Sequence, residues 1–231
     1  MTTDIPGYTE DQAADFFAEH VRLAAEDLHP DLEPYTEDND SLGTVLRHPL
    51  VYQVPLLTNG HANQMYEHKL RQLERAIAEN DYSSLVYLHE RPYRLNAFIE
   101  FVEQDAPDEI YWEVLGNVWT DTENMWQNKR EWKRLLTSTR PDRIKMMRED
   151  DVVLFEALPD TVIIYRGCST QNENGMSWTL SKEKALWFAN RFRTDGYVLE
   201  AEVKKSDIIA LLNHRGEQEI ICYKTPNWKI S

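Results

Sequence analysis

Up to about residue 140 the apolar positions recur at helical intervals, and beyond residue 160 they alternate as strands require. Thr9 as a cap, with Gln12 three residues on, opens a first helix. Its apolar face is Phe16, Phe17, Val21, Leu23, Ala24 and Leu28, and His29-Pro30 ends it. Residues 30–43 have loop composition, and over 46–57 short apolar runs are broken by Pro49 and Pro55, which argues against a central strand. The spacing predicts a helix over 61–80, with Met65, Leu70, Leu73 and Ile77 on one side and Glu67, Arg71, Glu74 and Arg75 on the other. Another fits 95–104, and a longer one fits 110–136, where Asp121 or Thr122 marks an interruption. Along it Trp112, Leu115, Trp119, Trp126, Trp132 and Leu136 recur, a stripe that reads as core before it reads as a ligand platform. Residues 1–140 thus read as a compact all-helical region.

The charged stretch 141–150 suggests a boundary, giving a mainly helical part over 1–145 and a second part over 146–231. After a short helix over 152–158, Pro159-Asp160 turns the chain into the strand Thr161-Val162-Ile163-Ile164-Tyr165. Ser181 stands where a cap belongs, before a helix over 182–192 whose face is Ala185, Leu186, Phe188 and Ala189. Tyr197, Leu199, Ala201 and Val203 then alternate. Strands separated by one helix and by loops, with helices in front, make the fold class α+β.

Composition narrows the setting. Hydrophobic content of 42%, with 7 Trp, 11 Tyr and 7 Phe, is enough for a core. No run is long enough to span a membrane, and the first residues lack the features of a secretion signal, so a cytoplasmic protein is expected. Two cysteines are too few for a disulfide framework or a zinc site, and the seven histidines show no ligand spacing, so no metal is assigned. The net charge of −15 is uneven: residues 1–40 hold twelve acidic side chains against the single basic Arg22. Such a chain is not expected to bind nucleic acid directly. The acidic end could steer the chain to a basic partner, although a solvated acidic surface is the commoner meaning.

The chemistry lies near the end of the chain. Arg166-Gly167 follows an apolar strand, Ser177-Trp178-Thr179 precedes a helix, and Glu217-Gln218-Glu219 runs into Ile220-Ile221-Cys222-Tyr223. This order of arginine, Ser-x-Thr and Glu-x-Glu resembles the ADP-ribosyltransferase family, in its arginine-specific, toxin-like branch, over roughly residues 150–231. The resemblance implies a catalytic core with a mixed β-sheet, NAD as substrate and a protein acceptor with an accessible arginine. Compact members of this kind are carried by bacteria and bacteriophages and act in the bacterial or infected-host cytosol.

Cleaving NAD at ribose C1′ builds positive charge on that carbon, which a carboxylate beside it stabilises. The resemblance gives that role to Glu219, the orienting role to Ser177, and the alignment of an acceptor guanidinium to Glu217. If both glutamates lie in one strand, they share a face. Arg166 offers a charged planar fork for the pyrophosphate, and Gly167 a place for close backbone approach. Tyr165, Trp178, Thr179 and Phe188 complete the expected NAD-binding set, with loops 190–196 and 211–216 as candidates to cover NAD and to face the target. Two departures from the family pattern stand out: Arg166 and Ser177 are only eleven apart, and Trp178 stands where small hydroxyl residues are commoner. Water as acceptor would make the chain an NAD glycohydrolase, and loss of catalysis would leave an acidic inhibitor of a basic partner.

Overall fold

The computed structural model describes residues 10–123, 125–191, 195–213, 215–222 and 227–231. The expected cap at Thr9 lies outside them. The fold is α+β, in two compact units, Met1–Asp105 and Ala106–Ser231.

In the first unit, helix α1 (Glu10–Ala25) precedes a three-stranded antiparallel sheet of β1 (Thr36–Asn39), β2 (Gly43–Arg47) and β3 (Tyr52–Gln53). This sheet corrects the all-helical expectation. Pro49 lies in the β2–β3 connection and Pro55 lies beyond β3, so neither proline interrupts a ladder. The turn is made by Asn39, whose Oδ1 accepts from the backbone N–H groups of Ser41 and Leu42, and by Gly43 at φ 72°. Helix α2 (Asn59–Glu79) is capped by Thr58, which accepts from the His61 N–H, and it ends on left-handed Asn80. Ala62 and Tyr66 pack against Leu32, Leu46, Leu50 and Val51, with Met65, Leu70 and Leu73 at the margin. Ile77, expected on that face, is exposed, and its neighbour Ala76 is buried instead. Helices α3 (Tyr82–Tyr87) and α4 (Arg94–Phe101) complete the unit.

The second unit opens with α5 (Asp108–Asp121) and α6 (Lys129–Leu136), divided where the sequence marks an interruption. Extended Thr122 ends α5, its hydroxyl donating to the Val118 carbonyl. Trp112, Trp119 and Trp132 are fully buried, whereas Trp126 is half exposed. Helix α7 (Glu149–Glu156) leads into β4 (Thr161–Cys168), followed by β5 (Ser177–Thr179), α8 (Lys182–Asn190), β6 (Tyr197–Lys204), β7 (Ala210–Leu212), β8 (Glu219–Ile221) and β9 (Trp228–Ile230). The six strands lie in the order β7-β8-β5-β4-β6-β9 with every pair antiparallel, where a mixed sheet was expected. The expected division at 145/146 runs inside this unit: α5 and α6 belong with the sheet.

Val162 and Ile164 of β4 face Val203 and Ala201 of β6 across the ladder, forming one buried side of the sheet. On the other side Ala185 and Ala189 of α8 pack with Val198 and Tyr165. Ser181 caps α8 as the sequence predicts, accepting from the Lys184 N–H. Gly167 lets the helix close in, since a Cβ there would stand 1.9 Å from the Ala185 carbonyl oxygen. Among the described residues no helix is long and apolar enough to cross a membrane.

Candidate functional site

Glu219 begins β8, an inner strand, opposite Leu212 of β7 and Thr179 of β5. In this antiparallel register Ser177, two residues from Thr179, shares the face of Glu219 on the diagonal. Its hydroxyl donates to Glu219 Oε1 at 2.5 Å. The indole N–H of Trp119, one hundred residues earlier on α5, donates to the same oxygen at 3.1 Å. No described residue donates to Oε2. Glu219 is only 6% exposed, and burial pushes its carboxyl above the usual range. Ser177, Trp119 and the charge of Arg215 pull the other way, and Glu217 adds to the rise. Both donors thus share Oε1.

Arg166 joins this group through Ser177, whose backbone carbonyl accepts from Nη1. Nε and Nη2 both donate to the Asn172 carbonyl, at 3.2 and 2.9 Å. The connection from β4 to β5 is folded onto the guanidinium so closely that a Cβ on Gly175 would lie 2.1 Å from Nη2. The fork expected to hold a pyrophosphate therefore first holds its own chain, with one N–H on each Nη still unused by the described residues. Burial lowers the pKa of Arg166, and it lowers that of Lys129 on α6, on which the Arg166 charge also acts. The Lys129 ammonium lies over the Trp126 ring, 4.4 Å from its centroid.

Glu217 lies outside β8. Gln218, at φ 47°, breaks the alternation, so the same-face argument for the two glutamates does not hold. The Glu217 carboxylate instead pairs with Arg215, Nη2 to Oε2 at 3.2 Å, while Arg215 Nη1 donates to the Thr120 carbonyl at 2.8 Å. Thr179 is occupied structurally, donating to the Glu217 carbonyl and accepting from the Ser181 N–H. Trp178 alternates to the opposite face from Ser177 and Thr179 and is buried there, its indole N–H turned to the Gly175 carbonyl. It does not line the Glu219 face. Gly167 meets α8, whereas the expectation had it meeting a ligand. Tyr165 packs under α8, and Phe188 sits on that helix edge-on to Trp187.

Arg166, Ser177 and Glu219 are thus brought together, and Glu217 stands close by in a different posture. Trp119, Lys129, Asn172 and Arg215 were not foreseen. No sequence signal singled out any of them, since Trp119 is one of several tryptophans in the same stripe. Of the two candidate loops, residues 192–194 and 214 lie outside the described residues, as does Tyr223. Both thiols are buried and pushed up, Cys168 to about 11 and Cys222 to about 12, so neither is a ready nucleophile. No family model, curated protein or solved structure matches this chain.

Proposed function

We propose that this chain is a mono-ADP-ribosyltransferase that moves ADP-ribose from NAD to a protein side chain, with arginine as the acceptor class. The observation that carries this reading is the buried Glu219 held by Ser177 and Trp119 on one oxygen, with Arg166 bound to the backbone of the same serine. In this reading Oε2 of Glu219 lies against ribose C1′ and stabilises the positive charge that develops as nicotinamide departs. The unused N–H groups of Arg166 and the ammonium of Lys129 meet the pyrophosphate. Glu217 aligns the acceptor guanidinium and takes up its proton, partially, as attack proceeds. Action on proteins of a bacterial cytosol, as the product of a bacterium or a phage, belongs to the same proposal.

A second reading, NAD hydrolysis, draws support from the Arg215–Glu217 pair, which occupies the carboxylate an outside acceptor would need. The two are separated by measuring nicotinamide release and label transfer to a small guanidine for the wild type and for Glu217→Gln. The transferase reading expects transfer to fall while release into water continues. Equal loss of both overturns the role given to Glu217. No NAD binding and no turnover would overturn both enzymatic readings and return the acidic-inhibitor alternative.

A further inference from the structure

The geometry points to Arg215 as an acceptor built into the chain, ADP-ribosylated in cis by the site it borders; this rests on the transferase reading. Its guanidinium has two anchors, and each leads to Glu219. Nη1 is held by the carbonyl of Thr120, the residue after Trp119, whose indole binds Glu219 Oε1. Nη2 is held by the carboxylate of Glu217, two residues before Glu219. An ion pair between exposed side chains two residues apart ordinarily holds neither partner firmly. Here the second anchor, on a helical backbone, fixes the plane of the fork. Its side chain remains 43% exposed, and its charge acts on the Glu219 carboxyl.

That posture is the one an acceptor arginine would need: a guanidinium nitrogen on the carboxylate that takes its proton, beside the carboxylate that stabilises C1′. In the transfer the bond from C1′ to the nicotinamide nitrogen breaks, and its electron pair leaves with nicotinamide, which departs neutral. A lone pair on Nη2 forms the new C1′–N bond. The proton lost from Nη2 passes to Glu217 and then to water, one per ADP-ribose transferred. Because each chain carries one Arg215, incorporation levels off at one ADP-ribose per chain.

The test uses the full chain with biotinylated NAD, reading nicotinamide release, intact mass and the modified residue by tandem mass spectrometry. The expected result is one ADP-ribose per chain, on Arg215. In Arg215→Lys the label incorporated per nicotinamide released falls by about tenfold or more, as expected when a positioned acceptor is lost. A Glu219→Gln copy mixed with wild type stays unlabelled, because the transfer is within one chain. Nicotinamide release with an unmodified chain, or with label elsewhere, overturns this inference and leaves NAD cleavage standing. Labelling of the Glu219→Gln copy overturns the cis step. Absence of nicotinamide release overturns the enzymatic reading and the inference with it.

Discussion

The two units deal with buried ionisable groups in opposite ways. In the first, His48 lies between the rings of Tyr35 and Tyr66, its Nδ1 accepting from the Leu50 N–H, and His89 turns Nδ1 to the Leu85 carbonyl. Burial lowers the pKa of both, so each sits in the core as a neutral ring. In the second, burial also works against the charge on Glu219, yet Ser177, Trp119 and Arg215 are assembled to favour it. A histidine that sheds its charge needs few partners. A carboxylate surrounded by donors that oppose the effect of its own burial is what makes Glu219 the candidate.

The comparison is broken most severely at Glu219 itself. Glu219→Gln keeps the carbonyl that accepts from Ser177 and Trp119 but loses the charge, and nicotinamide release is expected to fall by about 10²–10³-fold or more with an unchanged circular dichroism spectrum. A smaller effect is expected from the donors. Ser177→Ala and Trp119→Phe each remove a group that favours the ionised carboxyl, so the acid limb of the pH–rate profile should move to higher pH, with activity near neutrality reduced by about tenfold. An unmoved limb in both would show that the donors do not act on Glu219.

Stability offers a subtler test, because the signs differ. The folded pKa of Glu219 is raised, so the native state holds its proton more tightly than the unfolded chain. Its contribution is therefore full below the ordinary carboxylate value of 4.5 and is lost as pH climbs through the folded value. Glu219→Gln should then raise the melting temperature at pH 7 but not at pH 4. For His48 and His89 the folded pKa is lowered, so the unfolded chain binds protons more readily, and stability is lost as pH falls through 6.5 toward the folded values. The smallest expected change is a flatter acid response of the melting temperature in His48→Gln, measured between pH 7.5 and about 5.5, one unit below the ordinary histidine value. A response as steep as in the wild type would place the acid sensitivity elsewhere.

Legibility in the sequence followed the range of the interactions. Helix α2, the break after α5, the Ser181 cap and the alternation of β6 are local events, written in neighbouring residues, and each could be read directly. Arg166, Ser177 and Glu219 could be singled out together by residue type and order, and the fold brings the three together. Three things were hidden for physical reasons. The first sheet escaped because its strands are short and lie between prolines that look like breakers. The posture of Glu217 depends on one left-handed residue, Gln218, which is not glycine and so gave no warning. Trp119 looked like any other member of an apolar stripe, since nothing local reveals which buried indole N–H finds a distant carboxylate.

Helix α5 also bears on how the chain can be dissected. A fragment beginning at residue 146, where charge and composition suggest a natural cut, would keep Arg166, Ser177 and Glu219 but discard Trp119 and the Thr120 carbonyl. One beginning at Ala106 keeps every one of these partners. The shortest piece worth expressing is therefore forty residues longer than its motifs suggest, and the extra length carries a donor to the very carboxylate the motifs identify.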